Sequence, residues 1–141
     1  MQHTDFKTIP KLLEGRANAC PKSIASYSLD SEGKWQPATW EDFFRQSQTL
    51  AAGLSAAGLR KGWKVGMMAA TSQYWDAFQM AVLMCGGVIV GMDPHDMDNN
   101  IDYMAQKASI SAVFVQNSEL LNKFSQETID EFSLMVSIEK P

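Results

Sequence analysis

Residues 64–91 read KVGMMAATSQYWDAFQMAVLMCGGVIVG, and this stretch decides the fold. Val65–Ala70 and Val88–Gly91 are short, uninterrupted apolar runs, which are typical of strands buried on both faces. Between them, Ser72 can cap a helix that runs to about Met84, where two glycines end it. A strand, a helix and a second strand in this order predict a right-handed unit with parallel strands.

The same alternation continues towards the C-terminus. The predicted elements are a helix capped by Asp96 with Ile101, Met104, Ala105 and Ala108 on its apolar face, a strand at Ala112–Val115, a short helix at Asn117–Phe124 and a strand at Leu134–Ile138. Strands that alternate with helices form sheets covered on both faces, so we predict a three-layer α/β fold with a mostly parallel sheet. Because Pro141 follows the last strand closely, we expect a sheet that is cut rather than complete.

Two elements are predicted before this unit. An amphipathic helix is expected over Phe6–Arg16, with Ile9, Leu12 and Leu13 as its apolar side. Residues 23–39 alternate between apolar and polar side chains around the turn Asp30–Gly33, which predicts a β-hairpin. Pro37 places the second strand of this hairpin at an edge, because proline cannot donate to a ladder.

Thr39 opens the best-marked helix of the chain. Its hydroxyl can accept from the backbone near Asp42, whose carboxylate can reach back, as in a capping box. Gly58 supplies a left-handed residue at the end of this helix. We therefore divide the chain into an N-terminal helix and lead-in (residues 1–22), a hairpin (23–39) and βα units (40–141), all within one domain of 141 residues.

The composition excludes several classes of function. The 12 basic and 16 acidic residues give a net charge of -4 without a basic stripe, which argues against a nucleic-acid partner. The N-terminus lacks the pattern of a secretory signal, and the longest uncharged stretch is too short and too interrupted to be a transmembrane segment. Cys20 and Cys85 lie far apart without a CxxC motif, so we expect reduced thiols and a cytoplasmic protein.

The residues that could carry chemistry form no known catalytic motif. The sequence contains no GxGxxG, GxxxxGK[ST] or GxSxG. His3 lies in the terminus, and His95 lies among Asp93, Asp96 and Asp98, a group that could ligate a cation. The EF-hand spacing is missing and the group precedes a predicted helix, so helix capping is favoured over metal binding.

Nine methionines and four tryptophans could indicate a pocket for an apolar ligand. Several of the methionines fall on predicted strands or on buried helix faces, and these are Met67, Met68, Met80, Met84 and Met92. Core packing is therefore the favoured interpretation.

The order of these segments resembles a known family. From Ala38 to Pro94 the sequence is similar to the N-terminal region of adenylate-forming (AMP-binding) enzymes, the superfamily of acyl-CoA synthetases, luciferases and peptide-synthetase adenylation domains. The matching pieces are Thr39–Asp42, Leu50–Leu54, Gly58–Val65, Trp75–Gly87 and Val88–Pro94. The resemblance extends from about Leu12 to Leu120, and KWQPATW and YWDAF look most like the long-chain fatty acid CoA ligases. Trp63, Thr71 and Gly91 depart from the usual Asp, Asn and Pro of the family.

The resemblance implies a partial N-terminal subdomain of the acyl-CoA synthetase fold, and a parent enzyme of fatty acid metabolism. Such a ligase activates a carboxylic acid with ATP and magnesium to an acyl adenylate, and then transfers the acyl group to coenzyme A. The phosphate loop, the magnesium-binding Glu, the ribose-binding Asp and the catalytic Lys of the family have no match here. We therefore assign no catalytic, cofactor-binding or metal-binding residue, expect this chain alone to be inactive, and name the remainder of the parent enzyme as its partner.

Two alternatives stay open. The chain could be a free-standing binding or oligomerisation module that kept the fold and lost the chemistry. If it is a fragment instead, the surface meant for the missing region should be apolar, so we predict a dimer or higher oligomer. It could also be a small flavodoxin-like receiver or nucleotide-binding domain. The turn after the first strand, Thr71-Ser72-Gln73, lacks the acidic or glycine-rich residues of such domains, which makes this reading the weakest.

Overall fold

The computed structural model describes residues 7–139. The elements in chain order are α1 (Ile9–Ala19), β1 (Ile24–Leu29), β2 (Trp35–Thr39), α2 (Trp40–Ala56), β3 (Lys64–Met68), α3 (Gln73–Met84), β4 (Val88–Gly91), α4 (Asp98–Ala108), β5 (Ala112–Val115), a 3₁₀ helix (Ser118–Lys123), α5 (Gln126–Glu131) and β6 (Leu134–Ser137). The predicted helix start at Phe6, His3 and the final Lys140 and Pro141 lie outside the described residues.

The main sheet has four parallel strands in the order β4-β3-β5-β6. Val65 of β3 pairs with Ile89 of β4 on one side and with Ala112 of β5 on the other. The predicted α/β fold with a parallel sheet and an N-terminal hairpin is therefore confirmed.

Apolar side chains cover both faces of this sheet. Met67 and Phe114 point into a core shared with α2 and α3, whereas Met68 and Val115 point into a second core shared with α4. Met67 and Met68 are both fully inaccessible to solvent. Full burial of a side chain of this size is worth about 1.5–3 kcal/mol, so these two cores hold the three layers together.

The hairpin and the start of α2 follow the predicted local signals. β1 and β2 form a separate antiparallel sheet in which Tyr27 faces Pro37. The Asp42 N–H donates to Thr39 Oγ1 over 3.1 Å and the Thr39 N–H donates to Asp42 Oδ2 over 3.2 Å, which confirms the capping box. After α2, Gly58 adopts a left-handed φ of 99°.

The prediction for α1 was wrong in its bounds and in two of the three residues assigned to its buried face. The helix begins at Ile9, because Thr8 caps it by accepting from the Lys11 N–H over 3.3 Å. It continues past Arg16 and ends at Ala19. Its core face is formed by Leu13 and Ala17. Ile9 and Leu12 remain 58% and 52% exposed, since α2 and α3 cover only the neighbouring side of the helix.

The C-terminal half differs from prediction in three places. α4 has Met97 rather than Asp96 at its N-cap, because the Asp96 carboxylate accepts from the Met97 N–H (2.8 Å) and from Asn100 Nδ2 (3.0 Å) instead. The helix predicted after Asn117 is a 3₁₀ helix, although Asn117 does cap it. The short helix α5 was not predicted. Across residues 7–139, no helix combines the length and apolarity needed to cross a bilayer.

Candidate functional site

The strand order defines one natural crevice. The chain passes from β3 to β4 on one side and then crosses to β5 on the other, so the connections diverge at the carboxyl ends of β3 and β5. Ligands of open α/β sheets bind in the crevice at such a switch point. The residues next to it are Ala69–Ser72 after β3 and Gln116 and Asn117 after β5.

Polar side chains at this crevice are engaged in local structure. Ser72 Oγ accepts from the Trp75 N–H over 3.3 Å, and Asn117 Oδ1 accepts from the Leu120 N–H over 3.3 Å. Gln116 donates through Nε2 to Glu139 Oε1 over 3.0 Å. Ser72 and Asn117 therefore cap helices, and Gln116 holds the segment after β6 through Glu139. The crevice therefore shows no nucleophile and base in contact among the residues described.

The acidic segment after β4 is also held by internal bonds. Asp93 Oδ1 accepts from the His95 N–H over 2.9 Å, and Lys123 Nζ donates to Asp98 Oδ1 over 2.8 Å and to the Asp96 carbonyl over 3.0 Å. The Asn100 amide, followed by the Met97 N–H, lowers the pKa of the Asp96 carboxyl. Within residues 7–139, no three His, Cys, Asp or Glu side chains converge in a way that could hold a metal ion.

A groove of about 440 Å³ lies between the hairpin and the start of α3. We call it the hairpin groove; Ser26–Leu29 and Trp35 form one wall, and Thr71–Tyr74 and Asp76 form the other. Tyr27, Leu29 and Trp35 are 60%, 57% and 65% exposed. Partial desolvation raises the pKa of the Asp76 carboxyl, although the side chain keeps contact with solvent. Sequence reasoning missed this groove; the alternation that places these large side chains on one face of the hairpin was its only signal.

A second cleft, of about 310 Å³, lies beside α1. We call it the α1 cleft; its lining is almost wholly apolar and consists of Ile9, Leu12, Leu13, Arg16, Trp40, Phe43 and Met80. The Arg16 guanidinium lies 5.4 Å from the centre of the Trp40 ring, a cation–π contact. The predicted core residue Met80 therefore borders a surface cleft, whereas Met67, Met68 and Met92 are buried as predicted.

This combination of a hairpin, a capped helix and a β4-β3-β5-β6 parallel sheet is the fold of the N-terminal subdomain in adenylate-forming enzymes. The N-terminal domain of FACL13 from Mycobacterium tuberculosis superposes with a TM-score of 0.80 at 14% identity, covering 94% of this chain and 34% of that one. The N-terminal subdomain of NpsA from Klebsiella oxytoca gives a TM-score of 0.77 at 17% identity, with 94% and 32% covered.

The sequence comparisons agree with the fold. Residues 13–140 match the family of AMP-binding enzymes, and the chain belongs to this family. It is 26% identical over 121 residues to the long-chain-fatty-acid–CoA ligase ACSBG2 of Mus musculus, which covers 86% of this chain. The same alignment covers 18% of the relative, so the chain spans about a fifth of the length of that protein.

Proposed function

We propose that this chain forms the N-terminal portion of an ATP-dependent acyl-CoA ligase of the cytoplasm. The parent enzyme joins a carboxylic acid to coenzyme A through an acyl adenylate and uses ATP and magnesium. The observation that carries the proposal is the family match over residues 13–140, in a chain that spans 18% of a curated ligase. In the parent, residues 1–22, 23–39 and 40–141 would serve as lead-in, hairpin and βα units of one scaffold.

Residues 7–139, which the structure describes, do not fit a triphosphate or a magnesium ion. The turn after β3 is Ala69-Ala70-Thr71-Ser72, without the glycines that let a backbone approach phosphate closely. Asp96 and Asp98 are engaged by Asn100 and Lys123. Adenylation needs preorganised donors around the phosphates, so we derive no catalytic step for this chain and propose that it is inactive alone.

Pyrophosphate release tests the proposal. The 141-residue chain and a longer product of the same gene are each incubated with ATP, magnesium and a series of fatty acids. We expect release only with the longer protein, and formation of an acyl-CoA product when coenzyme A is added. Release by the short chain would refute its inactivity. An intact longer protein that forms no adenylate with any carboxylic acid would refute the ligase assignment.

A second candidate function is a free-standing binding or oligomerisation module. The apolar α1 cleft favours it, because Ile9 and Leu12 are exposed there and burial of exposed apolar side chains is favourable. In this case two copies would associate through α1. A stop codon directly after Pro141 in the gene would support the module, whereas an open frame that encodes a glycine-rich phosphate loop would exclude it.

A further inference from the structure

One stripe of α1 combines apolar side chains with a single cation. The stripe consists of Ile9, Leu12, Leu13 and Arg16. Their spacing of three and four residues places these side chains along the same side of the helix. Ile9 and Leu12 are more than half exposed, whereas Leu13 is buried. Because Arg16 comes one turn after Leu12 and Leu13, the apolar surface of the stripe ends at a positive charge.

Side chains from two other helices complete the α1 cleft. Trp40 and Phe43 come from the first turn of α2, and Met80 comes from α3. All three are half-buried and carry no formal charge. Among the described residues that line the cleft, Arg16 is therefore the one charged side chain. A mostly apolar lining with one polar group that fixes orientation is typical of sites for small molecules.

The Arg16 guanidinium is held in place and still has donors to offer. Its carbon lies 5.4 Å from the centre of the Trp40 ring, and Nη1 donates weakly to Cys20 Sγ over 3.7 Å. A guanidinium carries five N–H donors in a planar fork, so the contact with Cys20 leaves most of them available. The ion pairs within residues 7–139 all involve other cations. Arg16 is thus a positioned, exposed cation with capacity for an anion.

We propose that the α1 cleft binds a carboxylate that carries a single alkyl chain, such as a free fatty acid of medium length. The alkyl chain lies against Ile9 and Leu12, and burial of these apolar surfaces drives binding. The Arg16 fork matches the two oxygens of the carboxylate and contacts both of them. The proposal concerns binding alone and does not depend on the ligase activity of the parent enzyme.

The size and charge of the cleft narrow the choice of ligand. Its volume is about 310 Å³, and a water molecule takes up roughly 30 Å³ in the liquid, so about ten non-hydrogen atoms fit. Octanoate has this size. A phosphate monoester carries a charge of about -1.5 to -2 at neutral pH, which is more than one arginine neutralises. A carboxylate carries a single charge, so it matches Arg16 better than a phosphate does.

An NMR titration with octanoate and with octanol, its uncharged counterpart, tests the proposal. The 141-residue chain is used at a concentration where sedimentation shows a monomer, because a second copy would compete for the cleft. With octanoate we expect saturable shifts of the Ile9 and Leu12 methyls and of the Arg16 Nε–H, with a dissociation constant of about 1 mM. Octanol should shift the same methyls and leave the Arg16 Nε–H nearly unchanged.

Two arginine variants separate the contact with the head group from the contact with the alkyl chain. Arg16→Gln removes the charge and keeps the apolar lining. We expect it to weaken octanoate binding about tenfold and octanol binding by less than about twofold. Retained octanol binding also shows that the variant is folded. Arg45→Gln is the matched control, because Arg45 is exposed, pairs with Asp42 and does not line the cleft. It should leave the binding of both ligands nearly unchanged.

Each contrary result overturns the proposal in its own way. Absence of saturable shifts at Ile9 and Leu12, at octanoate concentrations well above the expected dissociation constant, would exclude the site. Equal weakening by Arg16→Gln and Arg45→Gln would exclude the contact between Arg16 and the carboxylate. Tighter binding of octyl phosphate than of octanoate would point to a phosphate ligand instead. Binding by the 141-residue chain that is lost in a longer product of the gene would show that the rest of the parent covers the cleft.

Discussion

Phe78 of α3 stacks on Phe114 of β5, with ring centroids 3.8 Å apart and ring planes inclined by 14°. The two side chains are 2% and 3% exposed. Phe114 belongs to a central strand, because β5 pairs with both β3 and β6. The stacked pair therefore fixes the helix that follows β3 onto a strand that is not its neighbour in sequence.

Removal of this ring should be among the most costly single changes in the chain. We expect Phe78→Ala to lower the free energy of unfolding by about 3–5 kcal/mol, because it opens a cavity against the sheet. Tyr74→Ala is the control on the same helix, since Tyr74 is 47% exposed, and it should cost less than about 1 kcal/mol. Urea unfolding followed by circular dichroism measures both. Similar losses in the two variants would contradict the packing described.

Two glycines should respond to alanine in opposite directions. A Cβ at Gly87 would lie 2.7 Å from Val82 Cγ1 and 3.2 Å from the Val82 carbonyl oxygen, so Gly87→Ala should destabilise the protein by about 1–3 kcal/mol. A Cβ at Gly53, inside α2, would meet nothing within 4 Å. Gly53→Ala should therefore stabilise by about 0.5–1 kcal/mol. Thermal unfolding compares them, and stabilisation by Gly87→Ala would be incompatible with the close approach at Val82.

The capping box at Thr39 predicts a pH-dependent loss of stability. The Thr39 hydroxyl, followed by its backbone N–H, holds the pKa of the Asp42 carboxyl below its usual range. Because the folded pKa is lower than the unfolded one, the ionised carboxylate stabilises the fold above the unfolded pKa. This contribution is lost as the pH falls through the folded pKa.

Thr39→Ala should remove the hydroxyl half of this arrangement, because the backbone N–H at position 39 stays in place. We expect a loss of about 0.5–2 kcal/mol at neutral pH, which is usual for an N-cap. The difference from the unmodified protein should shrink as the pH falls through the folded pKa of Asp42, because protonation removes the carboxylate that the Thr39 hydroxyl stabilises. Carboxyl NMR titration should also show the pKa of Asp42 rising in Thr39→Ala. An unchanged Asp42 pKa would exclude Thr39 as the cause of the shift.

Self-association of the isolated chain should depend on α1. We expect sedimentation velocity to show a dimer or higher oligomer at high concentration, which Leu12→Lys converts to monomer by placing a charge in the α1 cleft. Leu29→Lys is the matched control, because Leu29 is 57% exposed and Leu12 is 52% exposed. A monomer at every concentration would refute self-association. Equal effects of the two variants would refute the role of α1.

Local signals in the sequence were sufficient for most elements of the fold. Thr39 and Ser72 are good N-caps, and both accept from the backbone three residues later as predicted. The apolar strands at Val65 and Ala112 are short and continuous, so their burial on both faces followed from pattern alone. The parallel sheet was predictable because apolar strands that alternate with helices are typical of parallel sheets covered on both faces.

Features that depend on tertiary contacts were not predictable. Asp96 is a good cap by residue type, but Lys123 and Asn100 hold the segment around it and move the cap to Met97. The apolar face of α1 was misjudged because Ile9 is as hydrophobic as Leu13, and only the positions of α2 and α3 decide which one is covered. Both surface grooves lie between elements distant in sequence, so a local pattern indicates at most one wall of each.

The central position of β3 also has a consequence for synthesis on the ribosome. Val65 leaves the exit tunnel early, but one of its two neighbours in the sheet is Ala112, which follows only after α3, β4 and α4. Translation proceeds at about 5–20 residues per second, so the edge of β3 that pairs with β5 stays unpaired for seconds. During that interval the apolar strand is exposed to other nascent chains. We therefore expect chaperones that bind nascent polypeptides to engage this chain between the emergence of β3 and that of β5.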